Sequence, residues 1–284
     1  MKIAISAEST LDLSKELIKQ YDVHVIPFTV LLGEDAYFDG DITSQDIFDF
    51  VDKTKKLPRT TAINQYQYHE YFSSIFDQGY DAIIHFSLSS GISAACSQAM
   101  EAAKRMDNVY VIDSKSLSTG IALEVIYAAK LVKRGLKPQE IVEKVSARIP
   151  YVQASFVIHT LEYLHKGGRC SGLARISAAV LRIKPQIIVS DGKMAPAKKY
   201  FGRKSQVVAA YCRDTLEQFA NPDLSVAFVT HTLATPEMVS AAIEALRKRG
   251  FKTIYETKAG ATITSHCGPM TIGILFINDG LNDD

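Results

Sequence analysis

In the first half of the chain, short apolar segments alternate with helical segments, and this alternation limits the possible folds more than any other feature. KIAIS, DAIIHFSLS and NVYVIDS have the composition of buried strands, and a helical pattern follows each of them. Neighbouring parallel strands need such crossover helices, because a tight turn cannot join them. The alternation therefore predicts an α/β fold with a mostly parallel sheet.

The pattern changes after about residue 150. KPQIIVSDGKMAPAKKYFG consists of two β-like runs around Asp191-Gly192, the strongest short-range hairpin signal in the chain. SVAFVTH, PEMVSAAIEALRKRG, FKTIYETKAG and MTIGILFIN then add strand, helix, strand and strand. We expect two domains: an N-terminal α/β domain over residues 1–150 and a C-terminal α+β domain with a mostly antiparallel sheet over residues 151–284.

The composition is that of an ordinary soluble protein. The 284 residues carry a net charge of +1, so no overall charge attracts nucleic acid. No apolar run approaches the length of a membrane span, and MKIAIS enters a strand pattern at once instead of a signal peptide. The 4 cysteines are far apart in sequence, as reduced thiols are in a cytosolic protein. We expect a cytoplasmic monomer without bound metal or nucleic acid.

Two short segments combine hydroxyl side chains with the start of a helix. In FSLSSGISAACSQAM a strand ends in a Ser/Gly turn and a helix begins near Ser93, and in LPRTTAINQYQY Thr60 and Thr61 stand between a proline and a helix. Amides at a helix N-terminus favour a phosphate or carboxylate, and the hydroxyls add donors. An ordinary N-cap is the commoner explanation of each segment.

The segment TITSHCGPMTIG places His266 directly before Cys267. We expect this segment to be extended, so the two side chains point to opposite sides and His266 cannot activate Cys267 as a nucleophile. The other histidines lack the spacing of a metal site. We interpret His266 as a hydrogen-bonding group at a cleft and Cys267 as the filler of a small apolar gap.

Cations stand beside glycines in two further segments. In LEYLHKGGRCSG, Gly167-Gly168 precede Arg169, an arrangement that suits an anionic group and that a helix C-cap explains about as well. YFGRKSQ places Arg203 just before a helix, where simple surface charge is the favoured explanation. The spacings of a P-loop and of a dinucleotide-binding Gly-x-Gly-x-x-Gly motif are absent.

A series of motifs, in order and over almost the entire chain, resembles the DegV family. These motifs are STLDLS, RTT, SLSSGISA, VIDS followed by STG, LEYLHKGGR, KP leading into SDGK, and HCGPMTIG. Each is weak alone, but their combination is highly specific. DegV proteins are bacterial fatty-acid-binding proteins, and the group that this chain resembles supplies the lipid-binding component of fatty acid kinase.

The resemblance implies a two-domain fold with a long-chain fatty acid buried between the domains. Carried over by motif, it assigns carboxylate contacts to Thr61, Ser93 and His266, and it places Arg169 and Arg203 near the head-group opening or at a kinase-docking surface. It implies a carrier that is not itself an enzyme and has no cofactor besides the bound acid. A separate ATP-binding kinase subunit would form the acyl phosphate for phospholipid synthesis, and transient contact with a membrane surface would serve lipid exchange.

The chain departs from the family pattern in ways that concern the pocket. Ala7-Glu8 stand where the family usually has Asp-Ser, so a role of that Asp is lost or moved. Ala94-Ala95-Cys96 and Cys170 also differ from the usual residues, which alters the expected pocket shape.

Two other classes of function stay open at this stage. A hydrolase of acyl esters would use Cys267 or Ser93 as its nucleophile, and a nucleotide-binding α/β protein would be stabilised by ATP or a dinucleotide. Neither has its motif in this sequence.

Overall fold

The computed structural model describes residues 1–170 and 183–281. The strands are β1 (Ile3–Glu8), β2 (Val23–Ile26), β3 (Thr29–Leu32), β4 (Asp35–Phe38), β5 (Arg59–Thr61), β6 (Ala82–Ser87), β7 (Val109–Asp113), β8 (Val152–Val157), β9 (Lys184–Ser190), β10 (Lys193–Tyr200), β11 (Val226–His231), β12 (Thr253–Lys258) and β13 (Ile272–Ile277). The helices are α1 (Lys15–Tyr21), α2 (Ser44–Thr54), α3 (Gln65–Phe76), α4 (Ala95–Ala103), α5 (Thr119–Lys133), α6 (Pro138–Arg148), α7 (Glu162–Gly167), α8 (Lys204–Gln218), α9 (Pro236–Arg249) and α10 (Ala261–Cys267).

The first sheet is parallel, with the strand order β2-β1-β6-β7. Every residue of β1 and β6 is buried, which explains why neither strand alternates between apolar and polar residues. Helix α4 packs on β6 and β7, and α5 packs on β1 and β6. The predicted parallel α/β arrangement is confirmed.

The second sheet is mostly antiparallel, with the order β10-β9-β8-β13-β11-β12 and one parallel pair, β11 with β12. The predicted hairpin joins β9 to β10. Asp191 and Gly192 form its two-residue turn with φ of 49° and 76°, the left-handed conformation that a tight hairpin requires. The mostly antiparallel character predicted for the second half is confirmed.

A third sheet of three antiparallel strands, β4-β3-β5, was not expected from the sequence. VHVIPFTVLL reads as one β-rich run, but it divides at Pro27 into β2 and β3, which join different sheets. Proline has no N–H to donate to a ladder, so the run cannot continue through it as a single paired strand. Strand β5 brings Thr60 and Thr61 to the edge of this sheet.

Helix α5 connects the two large sheets. Most of its residues are buried, and it contacts β1 and β6 of the first sheet as well as β8, β11 and β13 of the second. Gly135, with a φ of 81°, ends the turn just after α5, and Pro138 begins α6. The domain boundary at residue 150 stays a prediction.

Helix α10 corrects the expectation that residues 262–267 are extended. The threonines and isoleucine of ATITSHC favour a strand, but tertiary contacts outweigh that preference. The helix lies against α2, α7, β3 and β5, so the end of the chain packs beside elements from its beginning.

Candidate functional site

A cavity of about 510 Å³ opens where the loop after β6, strand β5 and helix α10 meet; we call it the main cavity. Its exposed lining residues form a mouth, and its buried ones form an inner end. The mouth is lined by Ser90, Gly91, Ala94, Ser97 and Arg169, and the inner end by Phe28, Leu88, Leu117, Met194, Thr262 and Cys267. The half-buried residues between them are Thr60, Ala62, Ile92, Ser93, Ile263 and His266.

Ser93 reaches the main cavity from the loop between β6 and α4. Its backbone N–H donates to the Ser89 carbonyl at 3.1 Å, and its hydroxyl accepts a hydrogen bond from the Ala95 N–H at 3.2 Å. The hydroxyl hydrogen has no acceptor among the described residues, so it can point to a ligand. The predicted placement of Ser93 at a helix start facing a cleft agrees with this geometry.

Glu8 stabilises the start of the loop that carries Ser93. The sequence had left its role undetermined. The carboxylate is fully buried and accepts hydrogen bonds from the Leu88 N–H at 2.7 Å and the Ser87 hydroxyl at 2.6 Å. Burial raises its pKa, but the hydrogen bond and charge of His85 with the other donors outweigh burial and lower it. Glu8 is therefore a buried carboxylate that fixes the start of the Ser93 loop.

The hairpin turn of the second sheet also touches this loop. The Ser89 hydroxyl donates to the Gly192 carbonyl at 2.7 Å, and a β-carbon on Gly91 would collide with the same carbonyl. Only glycine permits that approach, so the turn and the loop close one side of the main cavity together.

Thr60, not Thr61, faces the main cavity. The Thr60 hydroxyl lies 2.8 Å from His266 Nε2, whereas the Thr61 side chain is exposed and does not line the cavity. Successive side chains of a strand point to opposite faces, so a shift of one residue exchanges the two threonines. The placement expected for Thr61 is corrected to Thr60.

His266 lies in the last turn of α10 and is neutral near pH 7. Burial, with the charge of Arg169 beside it, lowers its pKa to about 4. Its Nδ1 atom has no hydrogen-bond partner among the described residues, and it faces Gly167 so closely that a β-carbon there would lie 2.8 Å away. The first glycine of the KGG motif thus leaves room for the imidazole, and the second, Gly168, ends α7 with a φ of 67° as the C-cap interpretation predicts.

Two buried aspartates hold the N-terminus of α10, and sequence reasoning missed both. Asp12 accepts a hydrogen bond from the Gly260 N–H at 2.8 Å, and Asp39 accepts one from the Ala261 N–H at 2.7 Å. Acceptors at this end satisfy amides that have no partner within the helix. STLDLS contains Asp12, but no local pattern connects it to a helix 248 residues away.

Thr262 is a further residue that the sequence analysis missed. It is 3% exposed and lines the main cavity one helical turn before His266, and its hydroxyl has no partner among the described residues. A buried hydroxyl without a partner is costly, so this atom is a natural contact for a polar ligand group.

The two predicted arginines lie in different places. Arg169 is at the mouth, where its guanidinium donates to the Gly167 carbonyl at 2.5 Å. Arg203 is exposed at the N-cap of α8 and does not line the main cavity. Of the five predicted site residues, the cavity thus brings together Ser93, His266 and Arg169.

The geometry disfavours a hydrolase that uses Cys267 as its nucleophile. Burial raises the pKa of Cys267 to about 12, so its thiol is protonated at neutral pH. Cys267 and His266 are neighbours on a helix, not opposite residues of an extended segment, and no hydrogen bond joins their side chains in the described part of the chain. His266 therefore does not activate Cys267, as predicted, but the reason is the protonated thiol and the missing hydrogen bond. The expected extended segment, with the two side chains on opposite sides, is not present.

Residues 1–170 and 183–281 contain neither a cluster of metal ligands nor a membrane-spanning helix. No group of ≥ 3 His, Cys, Asp or Glu side chains there is placed to hold a metal ion. No helix in those ranges has the length and apolar composition needed to cross a membrane.

Known proteins match the chain over nearly its full length. The family model described as "Uncharacterised protein, DegV family" matches residues 2–279. A DegV domain-containing protein of Caldanaerobacter subterraneus is 30% identical over 97% of this chain and 98% of its own length.

Solved structures share the fold. One is a DegV family protein from Thermus thermophilus whose structure is described as showing fatty acid binding. It matches this chain with a TM-score of 0.90 and 23% sequence identity, and the match covers 98% of this chain and 100% of that protein's chain. Another is DegV of Bacillus subtilis, which is described as a fatty acid binding protein. It has a TM-score of 0.85 and 27% sequence identity, and the match covers 98% of this chain and 100% of the DegV chain.

Proposed function

The chain belongs to the DegV family, and on that premise we propose that its main cavity binds a long-chain fatty acid. The observation that carries the proposal is the gradient of the lining, which changes from an exposed polar mouth to a buried, mostly apolar inner end. A fatty acid has the same division between head group and chain. Its carboxylate would lie among the half-buried polar residues and its chain in the inner end.

Three hydroxyls and one imidazole are available to the carboxylate. We assign this role to Ser93, Thr60, His266 and Thr262, because the first three are half-buried around one space and the last has an unpartnered hydroxyl there. A carboxylate near His266 would favour the protonated ring and raise its pKa from about 4. Binding is therefore expected to be accompanied by proton uptake in mildly acidic solution.

The apolar chain supplies most of the affinity. Each buried methylene contributes about 0.8 kcal/mol, so a long chain gains on the order of 10 kcal/mol before the costs of binding. A hydrogen bond to the charged head group adds about 1.5 to 3 kcal/mol. The polar residues therefore mainly determine the orientation of the acid and contribute less than the apolar chain to its affinity.

Extraction of the purified protein with organic solvent, followed by mass spectrometry, tests the binding proposal. We expect close to one long-chain fatty acid per chain in protein made in bacteria. Protein that carries no lipid and also fails to take up added fatty acid would refute the proposal.

The finer part of the proposal is that a separate ATP-dependent kinase phosphorylates the bound carboxylate, so this chain presents the acid without catalysis of its own. Exposure of the mouth supports this role, because a second protein could reach a head group there. Arg203, exposed and outside the cavity lining, would dock that kinase or steady the transferred phosphoryl group.

Arg203→Ala tests whether binding of the fatty acid and its phosphorylation by the kinase depend on different residues. With ATP and the ATP-binding subunit of a bacterial fatty acid kinase, we expect this variant to keep its bound lipid but to lose acyl-phosphate formation. Arg213→Ala, which removes an exposed arginine farther along the same helix, is the matched control. Full phosphorylation of the Arg203 variant, or loss of its lipid, would contradict the assigned role.

A further inference from the structure

The loop between β6 and α4 carries a second serine at the main cavity, Ser90. The N–H groups of Ile92 and Ser93 both donate to the Ser89 carbonyl, at 2.9 and 3.1 Å, so this loop forms a hydrogen-bonded turn. Residues three positions apart on such a turn are neighbours, with β-carbons about 5 to 6 Å apart. Ser90 therefore lies beside Ser93, and both line the main cavity, Ser90 at the exposed mouth and Ser93 in a half-buried position.

A lysine from the loop after β7 reaches Ser90. The Lys115 ammonium donates to the Ser90 hydroxyl at 3.1 Å and lies 2.6 Å from a carboxylate oxygen of Asp113. The Lys115 side chain is 48% exposed and that of Asp113 only 14%, so the ammonium lies on the solvent side of this ion pair. Lys115 does not itself line the main cavity, and its contact with the mouth is the Ser90 hydroxyl.

Asp113 fixes this arrangement before any ligand binds. Its carboxylate also accepts hydrogen bonds from the backbone N–H groups of Ser90 and Lys115, each at 3.1 Å. The hydroxyl, the ammonium and the loop that carries Ser93 are therefore held in one geometry. A ligand that uses these groups does not have to order them, so binding costs less entropy.

The donors at the mouth have hydrogens without acceptors. An ammonium has three, and Lys115 uses one on Asp113 and one on Ser90, so the third has no acceptor among the described residues. The Ser90 hydroxyl accepts from the ammonium, and its own hydrogen likewise has no acceptor in the described ranges. Asp113 balances the charge of Lys115, but Arg169 adds a positive charge at the mouth, and no Asp or Glu of the described residues lines the main cavity. The mouth therefore presents donors and an excess of positive charge to an anion that extends beyond Ser93.

We infer that Ser90 and Lys115, with Arg169, bind the phosphoryl group of an acyl phosphate whose carbonyl end stays beside Ser93. In the proposed kinase reaction, a carboxylate oxygen of the acid forms a bond to the γ-phosphorus of ATP, and the bond from that phosphorus to ADP breaks. The kinase reaches this oxygen from the mouth, so the new group points there. This inference rests on the proposed function and deepens it, because it gives the chain a site for the product besides the site for the acid.

The phosphoryl group differs from the carboxylate in charge and in reach. It carries a charge of about −1.5 to −2 at pH 7 and has three acceptor oxygens, whereas a carboxylate carries a single charge and has two. Charge-assisted hydrogen bonds from an ammonium and a guanidinium are strong contacts for such a group. The acid contacts Ser93 alone, and the acyl phosphate contacts Ser93 and Ser90 together. Because the mouth is exposed, salt screens the added attraction.

The phosphonate analogue of palmitoyl phosphate, in which a CH2 group replaces the bridging oxygen, tests the inference without a kinase and without hydrolysis. Its affinity and that of palmitate are measured by displacement of a fluorescent fatty acid from the full-length protein, and the ratio of the two affinities is the readout. Lys115→Met removes the ammonium but keeps an unbranched side chain. Lys104→Met is the matched control, because Lys104 is also an exposed, ion-paired lysine, and its partner Glu101 does not line the main cavity.

We expect Lys115→Met to lower the preference for the phosphonate over palmitate by about ten-fold and to leave the affinity for palmitate within about two-fold. Ser90→Ala, which removes the hydroxyl, should lower the same preference by about five-fold and covers the case in which Lys115→Met does not fold. Lys104→Met should leave the preference within about two-fold. Added salt should reduce the preference of wild-type protein more than that of Lys115→Met, because it screens exposed charges.

Each failure has a distinct meaning. Wild-type protein that binds neither palmitate nor the phosphonate would refute the proposed function and the phosphoryl site together. Protein that binds palmitate would refute the phosphoryl site alone if Lys115→Met and Ser90→Ala kept the wild-type preference, or if Lys104→Met lost as much. Equal weakening of both ligands by Lys115→Met would make Lys115 a support of the loop and would overturn the inference. Inorganic phosphate that displaced the phosphonate at equal concentration would assign the donors to the free anion, with the same consequence.

Discussion

Two segments carry most of the polar residues of the main cavity, and a buried acidic residue anchors each of them. Glu8 anchors the Ser93 loop, and Asp12 anchors the start of α10, which carries His266. Burial raises the pKa of both groups, but the four donors of Glu8 and the charge of His85 outweigh burial and lower its pKa. These donors are Tyr68, His85, Ser87 and the Leu88 N–H. Among the described residues, Asp12 has two donors, Ser118 and the Gly260 N–H; it stands near Asp39, and its pKa rises to about 8. Glu8 is therefore ionised at neutral pH, and Asp12 is mostly protonated.

The difference teaches that the number of donors, more than the depth of burial, decides the charge of an internal carboxyl group. A carboxylate with four donors is a strong and rigid anchor, because each of them would be left unsatisfied without it. A protonated carboxyl with two partners can be replaced by a neutral isostere. The Ser93 loop should therefore tolerate less change at its anchor than α10 does at Asp12.

The largest expected effect is that of Glu8→Gln. An amide cannot accept all four hydrogen bonds, so we expect the free energy of unfolding at neutral pH to fall by about 3 kcal/mol. Urea denaturation measures it. Asp12→Asn, measured by urea denaturation at the same pH, is the control. An equal loss of unfolding free energy in both variants would contradict the claim that Glu8 is the stronger anchor.

The second effect depends on pH. The pKa of Asp12 is higher in the folded protein than in the unfolded chain, so its contribution to stability is complete at low pH and is lost as the pH rises toward and through about 8. Asn cannot ionise, and Asp12→Asn should therefore gain stability relative to wild type between pH 7 and pH 9, by roughly 1 to 2 kcal/mol. A stability difference that stays constant across this range would mean that Asp12 is already ionised at pH 7.

A third effect concerns the contact between β5 and α10. Thr60→Val keeps the shape of the side chain but removes the hydroxyl that lies 2.8 Å from His266, and we expect fatty-acid affinity to fall by about ten-fold. Thr61→Val changes the exposed neighbour in the same way and should leave affinity within about two-fold. Titration with a fluorescent fatty acid measures both. The reverse order of effects would restore Thr61 to the carboxylate site.

The smallest effect is expected at the end of α10. Cys267 is protonated and packed at the inner end of the main cavity, so Cys267→Ala should keep fatty-acid binding within a few-fold. Loss of binding in a variant that still folds, judged by circular dichroism and lipid capture, would give the thiol a direct role in the site.

Local signals in the sequence predicted the parts of this molecule that depend on neighbours along the chain. The Asp191-Gly192 turn is present as expected, and the Thr43–Asp46 capping box of α2 and the Pro138 start of α6 are features of the same local kind. Each follows from the backbone preferences of a few adjacent residues.

The rest of the site depends on contacts between distant segments. Helix α10 forms from strand-favouring residues because Asp12 and Asp39 bind its first amides. The choice between Thr60 and Thr61 depends on which face of β5 turns toward His266, and a one-residue shift reverses it. No local pattern contains this information, so the family motifs pointed to segments that line the main cavity but not to the choice between Thr60 and Thr61.

The return of α10 to the beginning of the chain determines when the main cavity can exist. Thr60 and His266 are 206 positions apart, so one wall of the cavity is absent until α10 has been synthesised. At about 5 to 20 residues per second, the parallel sheet waits on the order of ten seconds for that wall. Contacts this distant in sequence also form slowly, because the chain must close a long loop first. A chain that has been synthesised only as far as the parallel sheet therefore has no complete cavity.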